Sequence, residues 1–180
     1  MRVLLDACVL YPTVMREMLL GIAEMGAYEP RWSARILEEW ALAARKLGPQ
    51  GEALARGEIA MISAKFPNAS VKPAPGLEAR LWLPDENDIH VLSSAVSSHA
   101  DVIVTANAKD FPRGILAEEG LSRADPDAFL HGHWQAQPEV VAHVGEKVLA
   151  EAIRLSGQDW NLRSLMKKAR LPRLGKAMTS

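Results

Sequence analysis

The chain has 180 residues, 48% of them apolar and 24% charged, with a formal net charge of −1. That length and apolar share can fill a real core, so one globular domain with a small helical appendage is expected, and a chain too polar to fold is excluded. No stretch approaches the roughly 20 uninterrupted apolar residues of a membrane helix, and the N-terminus shows no charged-then-apolar leader, which points to a cytoplasmic protein with no membrane partner.

A single cysteine, Cys8, cannot form an internal disulfide and reads as small core filler. The charge is uneven. Residues 163 to 180 carry Arg163, Lys167, Lys168, Arg170, Arg173 and Lys176 with no acid, leaving −7 on the remainder. Such a basic end can approach phosphates, although short charge runs also serve as solvated helix faces.

In chain order, "RVLLD" at 2–6 is a continuous apolar run too short for a helix and predicts a buried strand. Pro12 suits the first turn of a helix running to about residue 25, with Met15, Leu19, Ile22 and Ala23 on one face. "YEPRW" reads as a weak second strand, after which Ser33 is placed to cap a helix carrying Ile36, Leu37, Trp40 and Leu42 up to the Gly48-Pro49 break. A further helix is predicted over 51–64, and the proline-punctuated segment 67–76 is a surface connection around one short strand. Residues 83–100 break at Pro84 and then turn amphipathic through Ile89, Leu92, Ala95 and Val96. "DVIVTA" is the clearest strand, and strands alternating with helices imply a parallel α/β sheet covered on both faces. "LSRADPDAFL" closes this unit with a last strand and a short helix. Beyond Pro138 only helices are expected, over 139–155 and 161–170.

In open parallel sheets, ligand sites gather outside the carboxyl ends of the strands. Asp6 closes the first strand, and Asn107 and Asp110 follow the strand at 102–105. Asp88 opens the helix before that strand, with Asp85 about one turn earlier, and Glu38 and Glu39 ride on the helix after the second strand. Neighbouring helical residues face about 100° apart, so only one of that pair can point inward. Clustered carboxylates raise one another's pKa unless a cation neutralises them, and oxygen ligands without His or Cys suit magnesium or manganese. A cation so held can activate water and shield a phosphate, the chemistry of phosphodiester hydrolysis. Each residue also has a structural reading: Asp6, Asn107 and Asp110 as turn formers, Asp85 above all as a helix cap, a lone Glu as a solvated helix residue. The joint arrangement at the strand ends carries the weight.

"VLLDACVL", "SARILEEW" and "LPDENDIHVLSSAVSSHADVIVTANAKDFP" together resemble the PIN domain, in the branch of VapC-type toxin ribonucleases. The resemblance covers residues 2–130 and implies an α/β fold: a three-layer α/β/α arrangement with a small parallel sheet in residues 1–133, and C-terminal helices with a basic tail in residues 134–180. It implies a magnesium- or manganese-dependent endoribonuclease in which Asp6, Glu39, Asp88, Thr105, Asn107 and Asp110 form the catalytic set. Asp6, Asp88 and Asp110 would hold the metal, with Glu38 leaving a one-residue ambiguity beside Glu39. Asn107 stands where many relatives place Asp, which assigns it to orienting water or substrate. Lys109, Arg113, Lys167 and Lys168 are candidates for contacting substrate. The implied partners are RNA, a cognate antitoxin protein and a second copy of the chain. A non-catalytic PIN-like binding module and a general RNA-processing nuclease are the alternatives.

Other signals carry less. "HGHW" at 131–134 lacks the paired-ligand spacing of a zinc site and reads as an exposed loop. The five tryptophans fit core or interface better than base stacking. The Asp6-x-Cys8 spacing lacks the second acid of a dehalogenase-like phosphatase loop.

Overall fold

The computed structural model describes residues 1–180. In chain order the elements are β1 (Arg2–Leu5), α1 (Ala7–Leu10), α2 (Thr13–Glu24), β2 (Glu29–Ser33), α3 (Ala34–Ala43), α4 (Gly51–Lys65), β3 (Ser70–Val71) and α5 (Pro75–Arg80). They continue with α6 (Ile89–Ser97), β4 (Val102–Val104), α7 (Arg113–Glu118), β5 (Ser122–Ala124), α8 (Pro126–Ala136), α9 (Pro138–Ser156), α10 (Leu162–Lys168) and α11 (Pro172–Met178). Short 3-10 turns occupy Ala44–Leu47, Glu86–Asp88 and Ala108–Asp110. The chain divides into two compact units, neither contiguous in sequence. One holds residues 1–11 and 29–124, the other residues 12–28 and 125–180.

The first unit is built on a five-stranded, wholly parallel sheet in the order β3-β2-β1-β4-β5, flanked by helices: an α/β fold. The central strands are shielded from water, which is why "VLL" and "VIV" are unbroken apolar runs without alternation. β1 pairs with β2 on one side and β4 on the other, with Leu5 opposite Val104. The strand order therefore reverses between β1 and β4, where an open sheet leaves a crevice at its carboxyl edge. The first residue past each strand at that point is Asp6 and Thr105. The Asp6 amide still donates to the Val104 carbonyl at 3.2 Å, so the two side chains leave the sheet in register.

Local chemistry explains where the neighbouring helices begin. The Ser33 hydroxyl accepts from the Ile36 amide at 3.1 Å and caps α3, whose Ile36, Trp40 and Ala41 are buried. α6 buries Val91, Leu92 and Ala95, and the residue ahead of it, Asp88, sits at the mouth of the crevice.

The second unit is all-helical. α2 and α9 pack so closely that a Cβ on Gly21 would lie 2.4 Å from Val144 Cγ1, which requires glycine there. Tyr28, Phe129 and His133 form a ring cluster, with Tyr28 and Phe129 edge to face at 5.2 Å. "HGHW" is accordingly not a loop: residues 131–134 lie within α8, and His133 turns inward onto Phe129, its centroid 4.7 Å away. Four short helices, α1, α5, α7 and α11, fall where no helix was expected from sequence. Three of them, α5, α7 and α11, open on or beside proline, which reads as punctuation when its helix lasts barely two turns.

Candidate active site

The crevice at the β1/β4 carboxyl edge collects its acids from four places: the end of β1, α3, the turn before α6, and the turn after β4. Asp6 is 6% exposed and its carboxylate is fully engaged. Oδ1 accepts from the Ala7 amide at 2.7 Å, Oδ2 accepts from the Thr105 hydroxyl at 2.8 Å, and the Cys8 thiol reaches Oδ2 at 3.3 Å. Burial pushes the Asp6 carboxyl above its ordinary range, opposed by these hydrogen bonds and reinforced by the charge of Glu39. Thr105, 1% exposed, also accepts the Asn107 amide at 3.0 Å, so one hydroxyl ties the end of β4 to Asp6 and to the loop beyond it. Cys8 Sγ accepts from the Ala106 amide at 3.3 Å. Burial, and then the charge of Asp6, push its thiol up to about 12, so it packs and hydrogen-bonds as a neutral group.

Asp85, Asp88 and Asp110 offer carboxylate oxygens that all lie within 4.8 Å of one another, each residue half-buried. Asp88 is the most perturbed, its carboxyl raised to about 6 by burial and then by the charges of Asp6, Asp85, Asp110 and Glu39. Asp85 does two things at once. Its carboxylate caps the turn before α6 by accepting the Asn87 amide at 2.9 Å, and it belongs to the acidic triad. The helix-cap reading of Asp85 is correct and incomplete. Asp6 is outside this mutual set, although its charge is the largest of those acting on Asp88.

The two adjacent glutamates part company. Glu38 is exposed and makes a two-pronged pair with Arg56 at 2.8 and 2.9 Å, in a surface network with Glu52 and Arg45. Glu39 points the other way. Its Oε1 lies 2.7 Å from His90 Nε2 and 3.7 Å from Arg35 Nε, and its charge is felt at both Asp6 and Asp88.

On the far side of the crevice the Asn107 side-chain amide donates to Asp110 Oδ2. Arg123, on β5, donates to the carbonyls of Ala108 and Phe111 and so holds the turn that presents Asp110. Lys109 and Arg113 are exposed on and just after this turn. Lys167 and Lys168 belong to the all-helical unit, exposed at the end of α10, with Lys168 Nζ 5.1 Å from the Trp160 ring centre.

Sequence reasoning missed His90, Arg123 and Cys8 as members of this site. His90 sits inside the apolar stripe of α6 and Arg123 in the last strand. The one signal either gave was a charged or titratable side chain where an apolar one was due.

The donor set fits a hard divalent cation. It is all oxygen, it is buried and then crowded enough to raise one carboxyl to about 6, and it contains no thiolate or imidazole that would favour zinc. Comparisons with curated proteins and with solved structures return no match. The PIN domain matches residues 2–109. That match extends over more than half of the sequence, and the chain belongs to the PIN domain family, whose members are in general metal-dependent nucleases.

Proposed function

We propose that the protein is a divalent-metal-dependent endoribonuclease, the toxin of a type II toxin–antitoxin pair of the VapC kind. The observation that supports this reading is the acidic triad Asp85, Asp88 and Asp110 beside Asp6 and Glu39 at the strand-order reversal. Clustered negative charge would repel an RNA backbone and is useful to a nuclease only with a cation in place, which argues against a non-catalytic binding module.

Magnesium or manganese, held by Asp88 and Asp110 with Asp85 or Asp6 completing the set, would supply charge for the phosphate and acidify water. The chain's own residues do the rest. Thr105 and the Ala7 amide fix the Asp6 carboxylate in one orientation. Asn107, bound to Asp110, fixes the opposite wall and orients water or substrate. Glu39 completes the acidic corner, and Lys109 and Arg113 stand in solvent where they can meet phosphates flanking the scissile bond. In-line attack by water breaks the P–O3′ bond and leaves 5′-phosphate and 3′-hydroxyl ends.

In this reading residues 1–133 are the nuclease domain and residues 134–180 an extension, the chain works in the cytoplasm, and an antitoxin occupies the crevice with a helix or an Arg-bearing tail. No helix is long and apolar enough to cross a membrane. The test is cleavage of single-stranded RNA by purified chain with manganese. Expected are loss of cleavage in EDTA and in a folded Asp88→Asn variant, and growth arrest when the chain alone is induced in a bacterial host. Cleavage indifferent to both EDTA and Asp88→Asn would overturn the nuclease, and indifference of growth to strong induction would overturn the toxin.

A further inference from the structure

The hairpin formed by α10 and α11 carries a conformational cost. Ala169 caps the end of α10, the Arg170 amide donates to Lys167 O at 3.1 Å and the Leu171 amide donates to Met166 O at 2.8 Å. That pair of bonds, with Leu171 and Met166 both fully buried, is a Schellman turn. The residue at its left-handed position is ordinarily glycine. Here it is Arg170, at φ 62. A side chain with a Cβ is strained in that region, and Arg170 shares it with His99 alone among the non-glycine residues.

The hairpin's inner face is apolar, with Leu165, Met166, Leu171 and Leu174 buried, and Gly175 so close that a Cβ would lie 2.8 Å from Met166 Cβ. Its outer face carries Arg163, Lys167, Lys168, Arg170, Arg173 and Lys176, all exposed, and none pairs with a carboxylate. Several arginines elsewhere in the chain are matched to acids: Arg45 and Arg56 with Glu52, Arg80 with Glu119, Arg154 with Glu151. The hairpin is also rigidly set. Buried Asp127 of α8 accepts the amides of Arg173 and Leu174, both at 2.9 Å, and pins the start of α11. The Trp160 ring, half-buried, lies beside Lys168 at the same end.

We propose that the α10–α11 hairpin is a docking surface for the phosphate backbone of single-stranded RNA, with Arg170 at its apex and Trp160 offering a ring to a base. Unpaired cations held on a rigid support complement a run of phosphates, and an aromatic ring among them distinguishes a nucleic acid from an acidic protein. The choice of RNA rests on the ribonuclease reading; the surface itself does not.

The test uses the full chain and a labelled single-stranded RNA in EDTA, so that binding is measured without cleavage. Arg170→Gly is the decisive variant because it relieves the left-handed strain. Tm is expected to rise by about 2–4 °C while RNA affinity falls. The slope of log K against log salt should flatten by about 0.7 for Arg170→Gly and by about 2 when Lys167→Ala and Lys168→Ala are added. Trp160→Leu should weaken binding by roughly 5- to 100-fold with the salt slope unchanged.

Affinity and slope unchanged in Arg170→Gly and in the triple variant would overturn the proposal. So would loss of binding to a poly-glutamate peptide in those variants with RNA binding intact, since the surface would then serve an acidic protein. The two readings separate cleanly. Failure of the wild type to cleave with manganese, with hairpin-dependent RNA binding preserved, sinks only the nuclease, whereas cleavage with hairpin-independent binding sinks only the docking surface.

Discussion

His90 Nε2 lies 2.7 Å from Glu39 Oε1, and the imidazole is 3% exposed. The N–H vector is not aimed at the oxygen, so the contact is a close approach and not a directed hydrogen bond, and Nδ1 has no partner at all. A buried imidazole placed in this way tethers a half-exposed carboxylate to the floor of the acidic corner. His90→Leu, close in volume, should lower metal-dependent cleavage roughly 10- to 100-fold, the usual effect of removing a residue that orients a metal-site group. Tm should move little. An unchanged cleavage rate in a folded variant would leave Glu39 without need of its tether.

Asp88 makes the pH dependence of the metal-free chain predictable in sign. Its carboxyl is raised to about 6 in the folded state from an ordinary value of 3.8. Between roughly pH 4 and 6 the folded chain therefore holds a proton that the unfolded chain has lost, and stability contributed by this group declines as pH rises through that window. Exposed pairs act oppositely at lower pH: Arg45 and then Arg56 hold Glu52 near 2. The Asp88 contribution is thus read as the difference between wild type and Asp88→Asn. In EDTA the variant should be the more stable at about pH 7, and the difference should vanish near pH 4.

Manganese affinity should follow the same titration in reverse. The cation takes the ionised carboxylate, so binding tightens as pH rises from about 5 to 7, and the manganese-induced gain in Tm grows with it. Asp85→Asn separates the two duties of Asp85, because Asn caps a helical turn about as well as Asp. The variant should fold normally and bind manganese more weakly. Equal affinity would remove Asp85 from the ligand set.

Thr105→Val keeps the shape of a residue that is 1% exposed and deletes its hydroxyl. Asp6 Oδ2 then loses its closest donor and the Asn107 amide loses its acceptor. A cost of about 1–3 kcal/mol in chemical unfolding is expected, with a fall in cleavage because Asp6 is no longer held in one orientation. A neutral substitution would mean that water replaces the hydroxyl without loss.

Glu38→Ala and Glu39→Ala form a paired control. Glu38 is spent on Arg56 at the surface, so its removal should leave cleavage unchanged, while removal of its neighbour should reduce it. Equal effects would mean that the two side chains do not divide the work.

Much of this was legible in the sequence, for definite physical reasons. β1 and β4 are buried on both faces, and unbroken apolar runs of that length have few other uses. Ser33 and the Gly48-Pro49 break mark the limits of α3 and the turn after it by backbone chemistry alone. Asp88 and Asp110 could be grouped in advance because strand ends converge in a parallel sheet, but Asp85, read as a helix cap, holds the place in the mutual set where Asp6 was expected. What escaped depends on contacts between distant segments. Nothing near His90 in the sequence points to Glu39, and nothing in β5 says that Arg123 reaches back to the turn bearing Asp110. "HGHW" looked like a loop because its glycine and histidines are weak helix formers, and the aromatic packing that overrides them is tertiary.

The interleaving of the two units has a consequence for biosynthesis. α2 leaves the ribosome early, yet Gly21 fits against Val144, and α8 and α9 emerge more than a hundred residues later. At 5–20 residues per second, its apolar face waits roughly 6–25 s for a cover. Premature termination anywhere before α9 would release a chain that is sticky as well as incomplete. Cutting the polypeptide after β5 would strand Met15, Met18, Leu19 and Ile22 in water, so the sheet cannot be liberated as a well-behaved fragment by a single scission.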